Sequence, residues 1–187
     1  MASEDIMSIA HIKGNASDDI KRVLGNPAAF FRTFRTQDFN HQLFGDAISD
    51  RLVCTEISLH KKPEEPKKVE AKVVVEITVE EDMVNGGGNI HGGCSAFLID
   101  MCSTLSLTAL NMNTTGEIIP SVSQALNIVY HSPAGLGDKL RLVNTTLTLG
   151  ARAHSARTEI WNVTHHRLVA SGTHIKMQPS PPPKHIL

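Results

Sequence analysis

Residues 91–112 read HGGCSAFLIDMCSTLSLTALNM and decide the fold, because they form a long apolar run around a single acid. Asp100 is the only charged side chain between His91 and Glu117. The run is long enough to cross a membrane, but an acid at its centre would cost about 3 kcal/mol there, and neither end carries a basic anchor. We therefore predict a long helix buried inside a soluble fold.

Segments with β-sheet character flank this helix on both sides. Val53 to Leu59 is a candidate strand, and Ala71 to Val79 is rich in β-branched residues and alternates. Between them, residues 60–68 (HKKPEEPKK) predict a solvated loop. Further candidate strands lie at 121–130, 139–149, 154–163 and 168–177, with a hairpin connection at 162–167. The short connections favour an α+β fold in which an antiparallel sheet wraps around one long central helix.

The 187 residues are enough for one domain with a core. We divide the chain into an N-terminal helical extension (1–50), the main domain (51–177) and a Pro-rich tail (178–187) that we expect to be disordered. The extension has a helix signal at 17–25 and five of the six phenylalanines, at positions 30, 31, 34, 39 and 44. It either packs on the main domain or forms a lid over an acyl site.

Overall charge and cysteine content limit the classes of function. A net charge of -1 and a pI near 6.8 give no general attraction to nucleic acid or to an anionic membrane surface. Cys54, Cys94 and Cys102 have no CxxC spacing, and the N-terminus lacks the pattern of a signal peptide. We expect reduced thiols and an intracellular location, with cytoplasm and mitochondrion both open.

Asp100 is the first candidate for chemistry. A lone carboxylate in an apolar helix is costly to ionise unless partners compensate, and such a group is suited to act as a general base. The alternative is an acid satisfied by the hydroxyl of Ser103 or Thr104.

The start of the helix supplies a second candidate. The amides of Gly92 and Gly93, at the positive end of the helix dipole, could stabilise an oxyanion, although a close-packed glycine turn is the alternative. Asn85, beside the glycines at 86–88, could add a donor or could serve only as a turn residue. Eight helical residues separate Gly92 from Asp100 by about 12 Å. If both act on one substrate atom, they must come from different subunits.

The order of these motifs resembles a known family. NGGGNIHGG at 85–93 is followed by Asp100, Ser123 and NIVYHSPAGLGD at 127–138. Over residues 70 to 177 this pattern is similar to that of the PaaI-type hotdog thioesterases, especially their acyl-coenzyme A thioesterase branch. The resemblance implies a hotdog fold, a homo-oligomer built as a dimer of dimers, and cleavage of acyl-CoA at a subunit interface.

Roles for individual residues follow from the same resemblance. It implies Asp100 as general base or nucleophile, the Gly92 amide with Asn85 for the oxyanion or a water, and Ser123 for positioning the water. His91 would support the loop and the thioester end.

The resemblance also implies a site for the CoA arm. Tyr130, Gly93 and the loop 148–153, with Gly150 and Arg152, would border it. The loop reads TLGARA, so Arg152 is its only cation. Arg157 and Lys176 could bind the 3'-phosphate, but we interpret both as solvated strand charges.

We expect no metal and no cofactor apart from CoA in the substrate. His165 and His166 are adjacent on a predicted turn, so they point apart, and together with His174 they lack an acid or cysteine to complete a metal site. Cys94 and Cys102 have no basic partner nearby in sequence and are interpreted as packing residues.

The resulting hypothesis is an enzyme that hydrolyses medium- to long-chain fatty acyl-CoA. A hotdog enoyl-thioester hydratase and a non-catalytic acyl-CoA-binding scaffold are the alternatives.

Overall fold

The computed structural model describes residues 9–36, 38 and 41–179. Its elements are, in chain order, α1 (Asp18–Leu24), α2 (Pro27–Arg32), α3 (Asp46–Ser49), β1 (Val53–Lys61), β2 (Val69–Thr78), a 3-10 turn (Glu81–Met83), α4 (Gly92–Thr115), β3 (Val122–Tyr130), β4 (Lys139–Leu149), β5 (Ala153–Asn162) and β6 (Arg167–Met177). The strands form one sheet in the order β1-β2-β4-β5-β6-β3, and neighbouring strands are antiparallel. The predicted α+β fold is confirmed, with α4 as its central helix.

Helix α4 is apolar around its circumference because the sheet curves around it. Leu98, Ile99, Cys102 and Leu105 are fully buried, and the helix contacts every strand of the sheet. By length and composition α4 could cross a membrane, but 61% of its most apolar window is buried within the fold. It is therefore the core helix predicted from the sequence.

The first predicted loop begins later than expected. His60 and Lys61 pair with Glu70 and Val69 as the last residues of β1, so the prediction of a loop was wrong for these two positions. Strand β1 is an edge strand, where charged side chains can remain in solvent while the backbone pairs.

The N-terminal segment packs on the sheet and on α4. Helix α1 begins after Ser17, whose hydroxyl accepts from the amide of Ile20, and ends at Gly25. The amide of Lys13 donates to the carbonyl of Thr55, and Leu24 and Phe30 are buried in the same core as α4. The predicted disordered tail lies outside the described residues from position 180 onward, as does Phe39.

Candidate active site

Asp100 lies on the face of α4 that meets the end of the sheet where β3 begins. The hydroxyl of Ser123, at a bulge near the start of β3, donates to Oδ1 of Asp100 over 2.8 Å. The hydroxyls of Ser103 and Thr104 instead donate to the backbone carbonyl of Asp100, at 3.2 and 2.9 Å. The side chain of Asp100 is 41% exposed, so its carboxylate is held by Ser123 and still open to a ligand.

Two residues of β6 complete this cluster and were not among the predicted site residues. His174 is fully buried, and its Nε2 lies 3.1 Å from Oδ1 of Asp100, close enough for an electrostatic contact but without hydrogen-bond geometry. Nδ1 of His174 lies 2.7 Å from the hydroxyl of Ser103. The Ser103 hydroxyl has one proton, so it donates either to this Nδ1 or to the carbonyl of Asp100; when it donates to Nδ1, the ring proton is on Nε2 and faces Asp100.

Lys176 is buried and donates from Nζ to the hydroxyl of Ser123 over 3.4 Å. Its interpretation as a solvated strand charge was therefore wrong. Burial lowers the pKa of Lys176, while the charge of Asp100 raises it. A chain of two hydrogen bonds thus runs from Lys176 through Ser123 to Asp100. This chain orients the carboxylate.

The charge state of His174 follows from its surroundings. Burial lowers its pKa from 6.5 to about 4, the charge of Lys176 acts in the same direction, and Asp100 opposes both. Near neutral pH the imidazole is therefore uncharged.

The depressed pKa of His174 predicts a pH dependence of stability. Below pH 6.5 the unfolded chain binds a proton that the folded chain does not bind until about pH 4. The contribution of His174 to the unfolding free energy is therefore complete above pH 6.5. It falls by about 3 kcal/mol as the pH decreases from 6.5 to about 4. Chemical denaturation across this pH range, at one protein concentration, measures the loss. His174→Gln should lose much less unfolding free energy over this pH range. His131→Gln, at an exposed histidine, should lose as much as wild type. An equal dependence of unfolding free energy on pH in wild type and His174→Gln would refute this assignment.

The start of α4 forms the second part of the site. His91 is its N-cap, and Nδ1 of the imidazole accepts from the amide of Gly93 over 2.9 Å. The Gly93 amide is therefore occupied, whereas the amide of Gly92 has no acceptor among the described residues. The hydroxyl of Tyr130 donates to the carbonyl of Gly92 over 3.0 Å, so Tyr130 lies beside the remaining free amide.

The turn before α4 positions Asn85. Its Oδ1 accepts from the amides of Gly87 and Asn89, at 2.9 and 3.3 Å, so Asn85 does act as a turn residue. The turn is fixed against the loop after β3, because the amide of Ile90 donates to the carbonyl of Ala134. Within the described structure the side-chain NH₂ of Asn85 has no acceptor, so it remains available as a donor.

The structure does not bring all predicted site residues together in one subunit. Asp100 and Ser123 form one cluster, while His91, Gly92 and Tyr130 form another about 12 Å away along α4. Strand β3 carries a member of each cluster, with Ser123 near its start and Tyr130 at its end. The first cluster holds the carboxylate of Asp100, and the second holds the free amide of Gly92.

The loop predicted to border the CoA arm lines a cavity of about 520 Å³. Gly150 is required in this loop, because a Cβ there would lie 2.9 Å from the carbonyl oxygen of Ala153. Arg152 is exposed in the same loop. Lys62, Lys67 and Lys68 of the β1–β2 connection line the same cavity, so three lysines lie next to a loop whose own cation is Arg152.

Comparison with known proteins identifies the family. A family model described as "Thioesterase superfamily" matches residues 87–169. Mouse (Mus musculus) acyl-coenzyme A thioesterase 13 is 35% identical over 105 residues, which cover 56% of this chain and 71% of the relative. This chain belongs to the thioesterase superfamily.

Two solved structures of thioesterase superfamily members share the fold of this chain. Zebra fish thioesterase superfamily member 2 superposes with a TM-score of 0.59 at 29% identity, covering 75% of this chain and 89% of that one. For mouse thioesterase superfamily member 2 the TM-score is 0.63 at 24% identity, with 87% and 99% of the two chains covered. The thioesterase family model includes Gly92, Asp100 and Ser123 but ends before His174 and Lys176.

Proposed function

We propose that this chain hydrolyses acyl-CoA thioesters, with medium- to long-chain fatty acyl groups as substrates and free acid and CoA as products. The observation that carries this proposal is the carboxylate of Asp100. It accepts a hydrogen bond from the hydroxyl of Ser123 and lies beside the buried imidazole of His174. Relatives named acyl-coenzyme A thioesterase 13 support the substrate class.

Asp100 acts on the reacting atoms in this proposal. As a general base it removes a proton from a water that Ser123 helps to position, and the resulting hydroxide attacks the thioester carbonyl. As a nucleophile it attacks the carbonyl itself, and water then hydrolyses the mixed anhydride. Both routes expel the CoA thiolate and use the same side chains.

The oxyanion donors come from a second subunit in this proposal. Strand β3 is an edge strand, and Val122, Val129 and Tyr130 expose 49, 58 and 56% of their surface. Pairing of two β3 strands about a two-fold axis would cover this edge. Because the strands would run antiparallel, the Tyr130 end of one subunit would lie near the Ser123 end of the other. A homodimer would thus carry two composite sites, and a dimer of dimers would carry four.

In each composite site the amide of Gly92, assisted by Asn85, stabilises the oxyanion that develops at the thioester carbonyl. His91 holds the glycine turn by accepting from Gly93. We place the CoA arm against Tyr130 and the loop of Gly150 and Arg152. Lysines of the β1–β2 connection add positive charge for the phosphates.

A direct assay tests the proposal. We expect the purified protein to release one free thiol and one carboxylic acid per acyl-CoA consumed, measured with a thiol reagent and by mass spectrometry across acyl groups from acetyl to palmitoyl. With crotonyl-CoA the product should be crotonate and not a hydrated thioester. Release of free CoA at the uncatalysed rate for every acyl group would refute hydrolysis.

A further inference from the structure

A cavity of about 290 Å³ adjoins the cluster that contains Asp100 and Lys176. Its apolar wall is lined by Phe30, Phe31, Phe34, Met101, Ile118 and Ile119. Asp100 and Lys176 line the same cavity and supply its charged groups. An apolar group bound here therefore lies next to the carboxylate proposed to act on the thioester.

Much of this wall comes from the N-terminal segment, outside the residues that carry the family resemblance. Phe30 and Phe31 belong to α2, and Phe34 follows it. Phe30 is buried, and Phe31 and Phe34 pack edge-on against its ring, with centroids 5.0 and 5.2 Å away. The phenylalanines of the extension thus contribute to the cavity as well as to the core.

A second cavity, of about 220 Å³, adjoins the first. Phe31, Phe34 and Met101 line both cavities, so their side chains separate the two spaces. Phe97, Leu43 and Ala28 give the second cavity apolar walls, and the ion pairs Arg32–Asp50 and Arg35–Asp46 also line it. We call Phe31, Phe34 and Met101 the partition.

We propose that the partition sets the length of the acyl group that this protein accepts. This inference rests on the proposed function, because it places the acyl chain in the first cavity with its thioester at Asp100. At about 290 Å³ that cavity is at the lower end of the usual range for ligand pockets, about 300–1,000 Å³. It suits a medium-length acyl chain, and a longer chain has to displace the partition to reach the second cavity.

Phe34 is the member of the partition that a long chain displaces most easily. Its surface is 51% exposed, whereas Phe30 behind it is only 3% exposed. A half-exposed ring loses fewer contacts on rotation than a buried one does. Met101 is flexible by chemistry and can adjust around the chain.

Phe34→Ala tests the partition without depending on hydrolysis. The probes are S-octyl-CoA and S-hexadecyl-CoA, thioethers that cannot be hydrolysed, and binding is measured by calorimetry. We expect the affinity ratio of the hexadecyl to the octyl probe to rise about tenfold or more, because each buried methylene of the longer chain adds to binding. Phe34→Leu, which keeps more of the packing, should give a smaller rise. The ratio of kcat/KM for palmitoyl-CoA to octanoyl-CoA should follow the same order.

Trp161→Ala is the control. Ile160 of β5 points into the core, whereas the next residue, Trp161, points to the outer face of the sheet and is 36% exposed. It should leave the affinity ratio at the wild-type value. An unchanged ratio in both Phe34 variants, in proteins that melt as cooperatively as wild type, would overturn the partition even if acyl-CoA is hydrolysed. Failure of wild type to bind either probe would also overturn it. Binding with the expected shift but no thiol release would instead overturn only the hydrolytic function.

Discussion

Asp100→Asn should reduce kcat for acyl-CoA hydrolysis by roughly a hundred- to ten-thousand-fold, the usual contribution of a positioned general base. An amide cannot accept the proton of water, nor can it attack a thioester as a carboxylate does. Its oxygen can still accept from Ser123, so the geometry at the start of β3 should persist. Because the chemical step is affected and not the binding of CoA, KM should change much less than kcat.

Steady-state kinetics of wild type and variant at the same protein concentration measure this effect. Asp19→Asn is the matched control, because Asp19 is an exposed carboxylate that pairs with Arg22 at the surface. It should retain wild-type kcat. Full activity in Asp100→Asn would place the reacting centre elsewhere. Equal background rates in wild type and variant would leave only a binding role.

The fold was predictable because one helix and its flanking strands have unmistakable patterns. A long apolar run with one acid at its centre predicts a helix buried inside a soluble fold, and the four strands after it were placed to within one residue at either end. The family motifs named Asp100 and Ser123 as site residues with separate roles, and the structure joins the two by a hydrogen bond. Their roles in catalysis stay predictions.

His174 and Lys176 were missed because the pattern of β6 favours the wrong face. Ile175 and Met177 are apolar and suggest that the odd-numbered residues face the core, yet the even-numbered residues are the more buried. The cause lies at Gly172, where a Cβ would come within 3.2 Å of Ile99, so α4 approaches β6 closely there. Such an approach depends on tertiary packing and has no signal in the strand itself.

Helix geometry predicts the separation of the two clusters, but the sequence does not predict through which surface two subunits meet. Helical rise alone places Gly92 and Asp100 too far apart for one carbonyl. Which surface brings them together depends on a free sheet edge, and the sequence does not show that β3 is at the edge. The order β1-β2-β4-β5-β6-β3 supplies that information.

Mixing two inactive variants should restore activity if each site is shared between subunits. Gly92→Pro removes the amide donor but should preserve α4, because proline is favoured at the first helical position and His91, with φ -67° and ψ 137°, is extended as required before proline. Loss of one oxyanion donor costs about a hundred- to a thousand-fold in kcat. Gly92→Pro and Asp100→Asn should therefore each be nearly inactive alone.

Unfolding the two variants together and refolding them in equal amounts should restore roughly a quarter of wild-type activity, because half of the dimers are mixed and one of their two sites is intact. If Gly92 and Asp100 of one subunit served the same site, mixing would restore nothing. The double variant, refolded with an equal amount of wild type, gives the converse control. Shared sites leave roughly a quarter of all sites active, since both sites of every mixed dimer are damaged, whereas sites within single subunits would leave roughly half. The two mixtures together thus decide whether the Gly92 amide acts on a substrate held by the Asp100 of another subunit.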